Sequence, residues 1–170
     1  MSMSLTDEEI SKLYNTGVRL LSRREHSVKE LYTKLRSRLP SHSNGDVAIE
    51  AVIERLSETG YLSDERFAMV YARSRAMRGF GADRIALELA DKGISSDFQE
   101  VVLAELEAGW PALIFNVWRK KYGKRPEDFT EKNKQMTFLR YRGFRAEDVR
   151  QLFSQLDSSV QDATGLSVGF

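Results

Sequence analysis

Apolar residues in this chain recur three and four positions apart over most of its length, and almost nowhere do they alternate with polar ones, so the pattern predicts helices and essentially no strands. Thr6 followed by Glu9 has the spacing of a capping box and opens a first helix with Ile10, Leu13, Tyr14, Val18 and Leu21 on one face. Ser27 caps a second helix with Val28, Leu31, Leu35 and Leu39 inward, Pro40 to Gly45 reads as a loop, and Asp46 caps a third. Ser63 starts a fourth helix through Phe67, Val70, Tyr71 and Ser74, broken at Gly79 and Gly81, and a fifth spans Ala82 to Lys92. Ser96 caps a sixth that runs to about Glu107, and Pro111 suits the first turn of a seventh carrying Leu113, Ile114, Val117 and Trp118. After a charged connection from Lys124 to Phe129, Thr130 opens an eighth helix that Gly143 ends, and Ala146 to Leu156 forms a ninth.

The nine helices fall into three sets of three, because the apolar pattern repeats. Val52, Val102 and Leu152 correspond, as do Ile53, Leu103 and Phe153, and Leu56, Leu106 and Leu156, at an offset of 50 residues each time. A period of that size marks units that cannot bury their apolar faces alone and stack on their neighbours, presenting surface to a large partner more often than enclosing a catalytic pocket. The expected organisation is a first repeat over 1–61, a second over 62–109, a third over 110–156, and a mobile Ser- and Gly-containing tail from Asp157 to Phe170. The joints repeat too. Leu56-x3-Gly60-Tyr61-x2-Asp64, Leu89-x3-Gly93-Ile94-x2-Asp97 and Leu139-x3-Gly143-Phe144-x2-Glu147 each combine a helix-closing glycine, an apolar residue to tuck under the turn, and an acid for the first turn of the next helix.

Composition narrows the function classes. The 41% apolar content of 170 residues is globular, no cysteine is present, and no run of about 18 apolar residues occurs, which together point to a cytoplasmic protein without a membrane span. The amino terminus lacks the basic and apolar segments of an export signal. A net charge of +1 conceals segregation: basic stretches at 19–24, 29–38, 66–84, 119–125 and 132–145 alternate with acidic ones at 46–65 and 88–107. Such blocks suit a polyanion or an acidic protein groove, although ordinary solvated helix faces produce the same blocks. The two histidines, His26 and His42, have no ligand set or nucleophile beside them, and no Gly-rich loop leads into Lys-Ser or Lys-Thr. No metal, cofactor or catalytic residue is expected, and the chain does not read as an enzyme.

The run Leu20-Leu21-Ser22-Arg23-Arg24-Glu25-His26-Ser27-x2-Glu30-Leu31-x3-Leu35, then Leu56-x3-Gly60-Tyr61-Leu62-Ser63-Asp64-Glu65-Arg66-Phe67-Ala68, then Arg78-Gly79-Phe80-Gly81-x3-Ile85-x2-Glu88-Leu89-x2-Lys92-Gly93-Ile94, resembles the bacterial RecX regulatory proteins. The resemblance spans about residues 10 to 156, and three motifs in order are far more specific than any one of them. The third set departs most, with Lys121-Tyr122-Gly123-Lys124-Arg125 standing where the second has Arg78-Gly79-Phe80-Gly81. The resemblance implies an all-α fold of three tandem three-helix, helix-turn-helix-like repeats in an elongated curved array. It also implies that the protein binds the RecA recombinase on single-stranded DNA, lies in the filament groove, and inhibits ATPase, strand exchange and coprotease activities as part of recombination, repair and SOS regulation. A monomer with several modest contacts on one body gains affinity for a polymer through effective concentration.

The candidate contact residues are basic clusters that recur at the end of each set's first helix: Arg23 and Arg24; Arg73, Arg75 and Arg78; and Arg119, Lys120, Lys121, Lys124 and Arg125. Cations at helix ends also favour the macrodipole by roughly 0.3 to 1 kcal/mol, so a structural explanation stands beside the functional one. Arg140, Arg142 and Arg145 around Gly143 are candidates for phosphate contacts. Tyr71, Phe80, Phe98, Trp110, Phe115, Trp118 and Phe138 read as core, whereas Tyr122 and Tyr141, interleaved with Lys and Arg, are the better candidates for stacking on bases. Against the filament modulator stand a protein that acts on single- or double-stranded DNA directly, which predicts steep salt dependence, and a helical scaffold, whose usual period of about 34 residues is not found here.

Overall fold

The computed structural model describes residues 5–40 and 45–164, with side chains described through Ser158; His42 and most of the Pro40–Gly45 loop lie outside the described residues. Among the described residues there are nine α-helices and no strand: α1 (Asp7–Leu21), α2 (Val28–Arg36), α3 (Asp46–Glu58), α4 (Asp64–Met77), α5 (Ala82–Asp91), α6 (Ser96–Glu105), α7 (Trp110–Lys121), α8 (Phe129–Tyr141) and α9 (Ala146–Thr164). No single helix among them is long and apolar enough to cross a membrane.

Most of the predicted starts hold. Thr6 and Glu9 form the reciprocal capping box of α1, Ser27 accepts the Glu30 N–H at 3.1 Å, and Ser63 accepts that of Arg66 at 3.2 Å. Three differ by one or two residues. Gly45, with no side chain to offer, stands at the N-cap of α3, and Asp46, the expected cap, is its first residue, with its carboxylate taken by the Tyr32 hydroxyl at 2.8 Å and by Arg36 at 3.1 Å. Ser95 caps α6 instead of Ser96, accepting the Phe98 N–H, and Asp128 caps α8 ahead of Thr130, accepting the Glu131 N–H at 2.7 Å. The sixth helix stops at Glu105 and a 3-10 turn, Glu107–Gly109, leads into α7. At the other end α9 continues beyond Leu156 to Thr164, where the Lys132–Asp157 pair at 3.0 Å and the Ser158 hydroxyl on the Ser154 carbonyl hold its added turns; residues 165–170 lie outside the described residues.

The helices gather into two compact units, Met1–Tyr71 with Leu89–Gln99, and Ala72–Glu88 with Glu100–Phe170, so the second set of three helices is divided between them. In the first unit Leu13, Leu31, Leu35, Ile49, Val52, Leu56 and Leu62 form the core. Gly17 lets α1 lie against α3, since a methyl there would stand 2.7 Å from Leu56 Cδ1. The Asp64 carboxylate accepts the Val28 N–H at 2.8 Å, so this acid, in the first turn of α4 as expected, also caps α2 from 36 residues away. Tyr61, expected to tuck under the first joint, is 51% exposed, and Leu62 is buried in its place. The later joints do tuck their apolar residue: Ile94 and Phe144 are buried, and their N–H groups bond back to the Leu89 and Leu139 carbonyls. With Gly93 at φ +82° and Gly143 at φ +90°, both are Schellman closures, and Arg75-x3-Gly79-Phe80 is a further one that the sequence pattern had presented as a simple break.

In the second unit two of these joints meet backbone to backbone. Gly81 N–H donates to the Arg142 carbonyl and Asp83 N–H to the Gly143 carbonyl, both at 2.9 Å. A Cβ on Gly81 would lie 2.4 Å from Gly143 C, Gly143 O and Phe144 N, and one on Gly143 would lie 2.2 Å from Arg84 Cβ. Nearby, the buried Trp118 indole donates to Gln135 Oε1 at 2.7 Å while Gln135 Nε2 reaches the Lys124 carbonyl. Gln135 is thus a fully buried amide that satisfies the only polar side-chain atom of a buried tryptophan.

Two predictions follow from these contacts. Gly81→Ala should destabilise the second unit by about 3 kcal/mol or more, since the clash is with backbone that cannot rotate away, whereas Gly109→Ala, with open space around it, should be neutral or slightly stabilising. Both tryptophans are buried in that unit, so urea melts followed by intrinsic fluorescence read it directly; equal midpoints for the two variants would contradict the interlock. In the first unit, burial lowers the His26 pKa, against the bond its Nδ1–H makes to the Arg24 carbonyl at 3.0 Å. A depressed pKa means stability that is present above the unfolded value and lost as pH falls through the folded one. Glu30, held below its usual range, acts in the same direction at lower pH, and Asp64, raised by burial, acts oppositely there. Amide exchange in α2 should therefore quicken as pH falls below about 6.5, after correction for its intrinsic pH dependence, and His26→Asn should flatten that trend. A wild-type profile without a step would refute it.

Candidate functional site

The basic residues singled out in the sequence divide between the two units and between two kinds of environment. In the first unit Arg23 is exposed, and Arg24 donates to Glu30 at 3.0 Å and to the Glu25 carbonyl at 2.7 Å. Glu30 also receives Lys92 Nζ at 2.6 Å; its burial would raise the carboxyl pKa, but the two cations outweigh burial and hold it low. Lys29 Nζ bonds to the Asp91 carbonyl at 2.9 Å. The groove these residues line with Thr33 and Lys34 therefore sets four cations against two carboxylates, with Arg24 and Lys92 both drawn onto Glu30.

In the second unit five of the candidate arginines are engaged by the protein. Arg75 makes a bidentate pair with Glu88, Nε and Nη2 each 2.6 Å from an oxygen, with its guanidinium 3.7 Å from the Phe80 ring centroid. Arg75 and Glu88 side chains are only 17% and 19% exposed, and Arg84 adds a second cation to Glu88 at 3.0 Å. Arg140 bonds to Asp83 at 3.1 Å and to the Phe144 carbonyl, and Arg145 approaches the same carboxylate at 3.7 Å. Arg73 pairs with Glu105 at 3.7 Å, and Arg119 reaches Asn116 Oδ1 at 3.4 Å with Phe115 beneath it. Arg75 and Arg140 thus belong to the packing of the joints. Lys124 and Arg125 lie in the segment between α7 and α8.

The remaining four candidates come together. Arg78 at the end of α4, Lys120 and Lys121 at the end of α7, and Arg142 at the end of α8 line one cleft of about 500 Å³. Its floor and walls are Met77, Gly79, Leu113, Asn116, Val117 and Phe138, and no carboxylate lines it. None of the four cations makes an ion pair among the described residues: Arg142 instead donates to the Arg78 carbonyl at 3.4 Å and lies 5.0 Å from the Phe80 ring centroid and 5.5 Å from that of Phe138. Lys121 Nζ stands 5.8 Å from the Phe138 centroid, and Tyr122 meets that ring edge-on at 5.6 Å. The interlocked glycines explain why these residues meet. Gly81 bonds to the carbonyl of Arg142 itself, so the α4–α5 joint carrying Arg78 cannot move away from the α8 end carrying Arg142.

The apolar half of the cleft went unnoticed in the sequence, although a signal was available. Leu113, Asn116, Val117, Lys120 and Lys121 form a stripe at helical spacing along α7, one face away from the core residues Ile114 and Trp118. The sequence pattern groups Leu113, Ile114, Val117 and Trp118 in that helix without separating a core face from a cleft face. Tyr141 is 78% exposed, as a stacking residue requires, whereas Tyr122 is half-buried against Phe138, and burial raises its pKa.

Comparison with known proteins matches every helical set. Residues 14–56 match the family description "RecX, first three-helix domain", residues 63–103 the second, and residues 112–153 the third. Among curated relatives, the regulatory protein RecX of Pseudomonas entomophila is 38% identical over 143 residues, covering 84% of this chain and 90% of the relative. That of Salmonella heidelberg is 37% identical over 151 residues, with the same coverage. The crystal structure of RecX from Lactobacillus salivarius shares the fold with a TM-score of 0.72 at 24% identity, covering 89% of this chain and 99% of that one. Three consecutive family domains, in order and within relatives of matching length, leave one assignment: the chain belongs to the RecX family of regulatory proteins.

Proposed function

We propose that this protein is a cytoplasmic monomer that binds the RecA recombinase on single-stranded DNA, occupies the filament groove, and inhibits ATPase, strand exchange and coprotease activities. The observation that carries the reading is the presence of all three RecX domains in a chain that covers 90% of relatives named regulatory protein RecX. The cleft supports the reading. Four cations without carboxylate partners create a local positive potential that the engaged arginines of the same unit do not. The action needs no chemistry from the protein, since a bound body in a groove excludes a second strand or a repressor by occupying their space.

Direct action on DNA is the second reading, and the same four cations favour it, because unpaired Lys and Arg side chains neutralise phosphates and release counterions. The two readings separate on one variant. Arg78→Glu/Lys120→Glu/Lys121→Glu reverses three of the four free cations without touching the Arg75–Glu88 pair, where a reversal would set two carboxylates together and damage the fold. If the proposal holds, wild-type protein suppresses the steady-state RecA ATPase on single-stranded DNA well below one molecule per protomer, and the variant needs at least ~tenfold more protein for the same suppression. Absence of inhibition by wild type, together with salt-sensitive binding to naked DNA that the variant loses, would replace the filament reading with direct DNA binding.

A further inference from the structure

The cleft of the second unit combines two features that a phosphate track does not need together. Its cations ring an apolar floor: Leu113 and Val117 are half-buried, Met77 is 87% exposed at the rim, and Phe138 lies half-buried beneath Lys121 and Arg142. A single strand of nucleic acid would engage the cations through its backbone and place its bases on aromatic faces, which is where sequence-tolerant sites gain about 1–3 kcal/mol per base. Among the described residues the only aromatic lining the cleft is Phe138, and two of the cations that would grip phosphates, Lys121 and Arg142, already stand over its ring, with Tyr122 perpendicular to it. A base would have to displace them. Met77, Leu113 and Val117 would gain nothing from a sugar-phosphate chain.

We infer that the cleft formed by Met77, Arg78, Leu113, Val117, Lys120, Lys121, Phe138 and Arg142 binds an acidic amphipathic segment of a protein partner, its aliphatic or aromatic side chains seated on the floor and its carboxylates on the four cations. Charge complementarity selects the occupant. A cleft with four cations and no acid favours a strongly anionic ligand, and the apolar floor selects among anions the one that carries hydrocarbon beside its charge. The volume of about 500 Å³ has room for a few such side chains. Carboxylates flanking an apolar anchor at helical spacing would match the stripe that α7 presents, in which Leu113 and Val117 alternate with Asn116, Lys120 and Lys121 along one face. The inference rests on the regulator reading above in taking the partner to be a protein, and it assigns to this cleft the protein contact and not the DNA contact.

The test uses the full chain and two probes in fluorescence anisotropy: a labelled peptide of about 15 residues with Glu on one helical face and Leu and Phe on the other, and an oligothymidylate of similar charge. The peptide should bind, a Glu/Ser peptide of equal charge should bind at least ~tenfold more weakly, and Met77→Gln should weaken the amphipathic peptide by ~threefold or more while leaving oligothymidylate unchanged. Met77 is exposed and makes no core contact, so this variant does not threaten folding. Lys120→Glu/Lys121→Glu should abolish peptide binding. The proposal is overturned if peptide binding is absent, if it ignores Met77→Gln, or if the charge reversal removes oligothymidylate binding and leaves peptide binding intact. The same two variants in the RecA ATPase assay keep the readings apart: inhibition that survives as peptide binding fails sinks the cleft assignment alone, whereas peptide binding without any inhibition sinks the regulator reading alone.

Discussion

The second unit depends on the approach of two glycine turns whose backbones touch. Gly81 and Gly143 each close or follow a helix, and their contact leaves no space for a Cβ on either. Two hydrogen bonds at 2.9 Å tie the strand of chain before α5 to the end of α8. Everything charged nearby is arranged around that contact. Asp83, one residue into α5, lies where Arg140 and Arg145 from either side of Gly143 reach it, and Phe80, just before Gly81, lies under Arg75 and Arg142. A backbone contact is a strong device for positioning long side chains, because arginine and lysine carry large rotamer freedom and acquire a location only when the chain beneath them is fixed.

Around this joint the second unit sorts its cations into two groups. Arg75, Arg84, Arg140 and Arg145 share two carboxylates, Glu88 and Asp83, at distances between 2.6 and 3.7 Å. The Arg75–Glu88 pair is largely withdrawn from water and bidentate, so losing one partner would leave a poorly solvated charge, and it specifies the α4–α5 angle more than it adds net stability. The exposed pairs to Asp83 contribute little individually. Arg78, Lys120, Lys121 and Arg142 have no such partner. Sequence alone could not make the division, because every one of these residues is a cation near a helix end; the deciding carboxylates, Glu88 and Asp83, lie elsewhere in the chain from most of the arginines they hold.

The helices were legible because their signals are local. Capping boxes, periodic apolar residues and helix-closing glycines act within a few residues, and the family's three domains span the same sets that the 50-residue recurrence of Val52, Val102 and Leu152 picks out. What was hidden depends on contacts between distant residues. Asp64 is the first-turn acid of α4 that its position announces, yet it also caps α2, and Asp46 looks like a cap yet is drawn to Tyr32 and Arg36. Gln135 looks like a weak point in α8 yet is the partner of a buried indole. The division into compact units is another such case, for the repeat predicts three equal pieces while the packing shares the middle set between two bodies. Recurrence of the basic clusters gave no guide to which of them are free: in the cluster after α1 Arg24 is held by Glu30 while Arg23 is exposed, that on α4 is split between Arg75 and Arg78, and that on α7 supplies both lysines of the cleft.

Leaving four cations unpaired around one cleft has a cost, and the rest of the unit shows that pairing was available. Like charges a few ångströms apart at a protein surface repel by an amount on the order of 1 kcal/mol per pair, and an exposed Met77 and a half-buried floor leave apolar area in water as well. Neither feature helps the free protein fold. Both become favourable together when an anionic, partly apolar ligand enters, since the repulsion is relieved and the hydrocarbon is covered in one step. A site with only the charges would attract any polyanion and lose it with salt; a site with only the apolar floor would invite association without selectivity. Combining them makes charge serve the encounter and packing serve the discrimination, which is the division of labour expected of a site that must select one anionic surface among many.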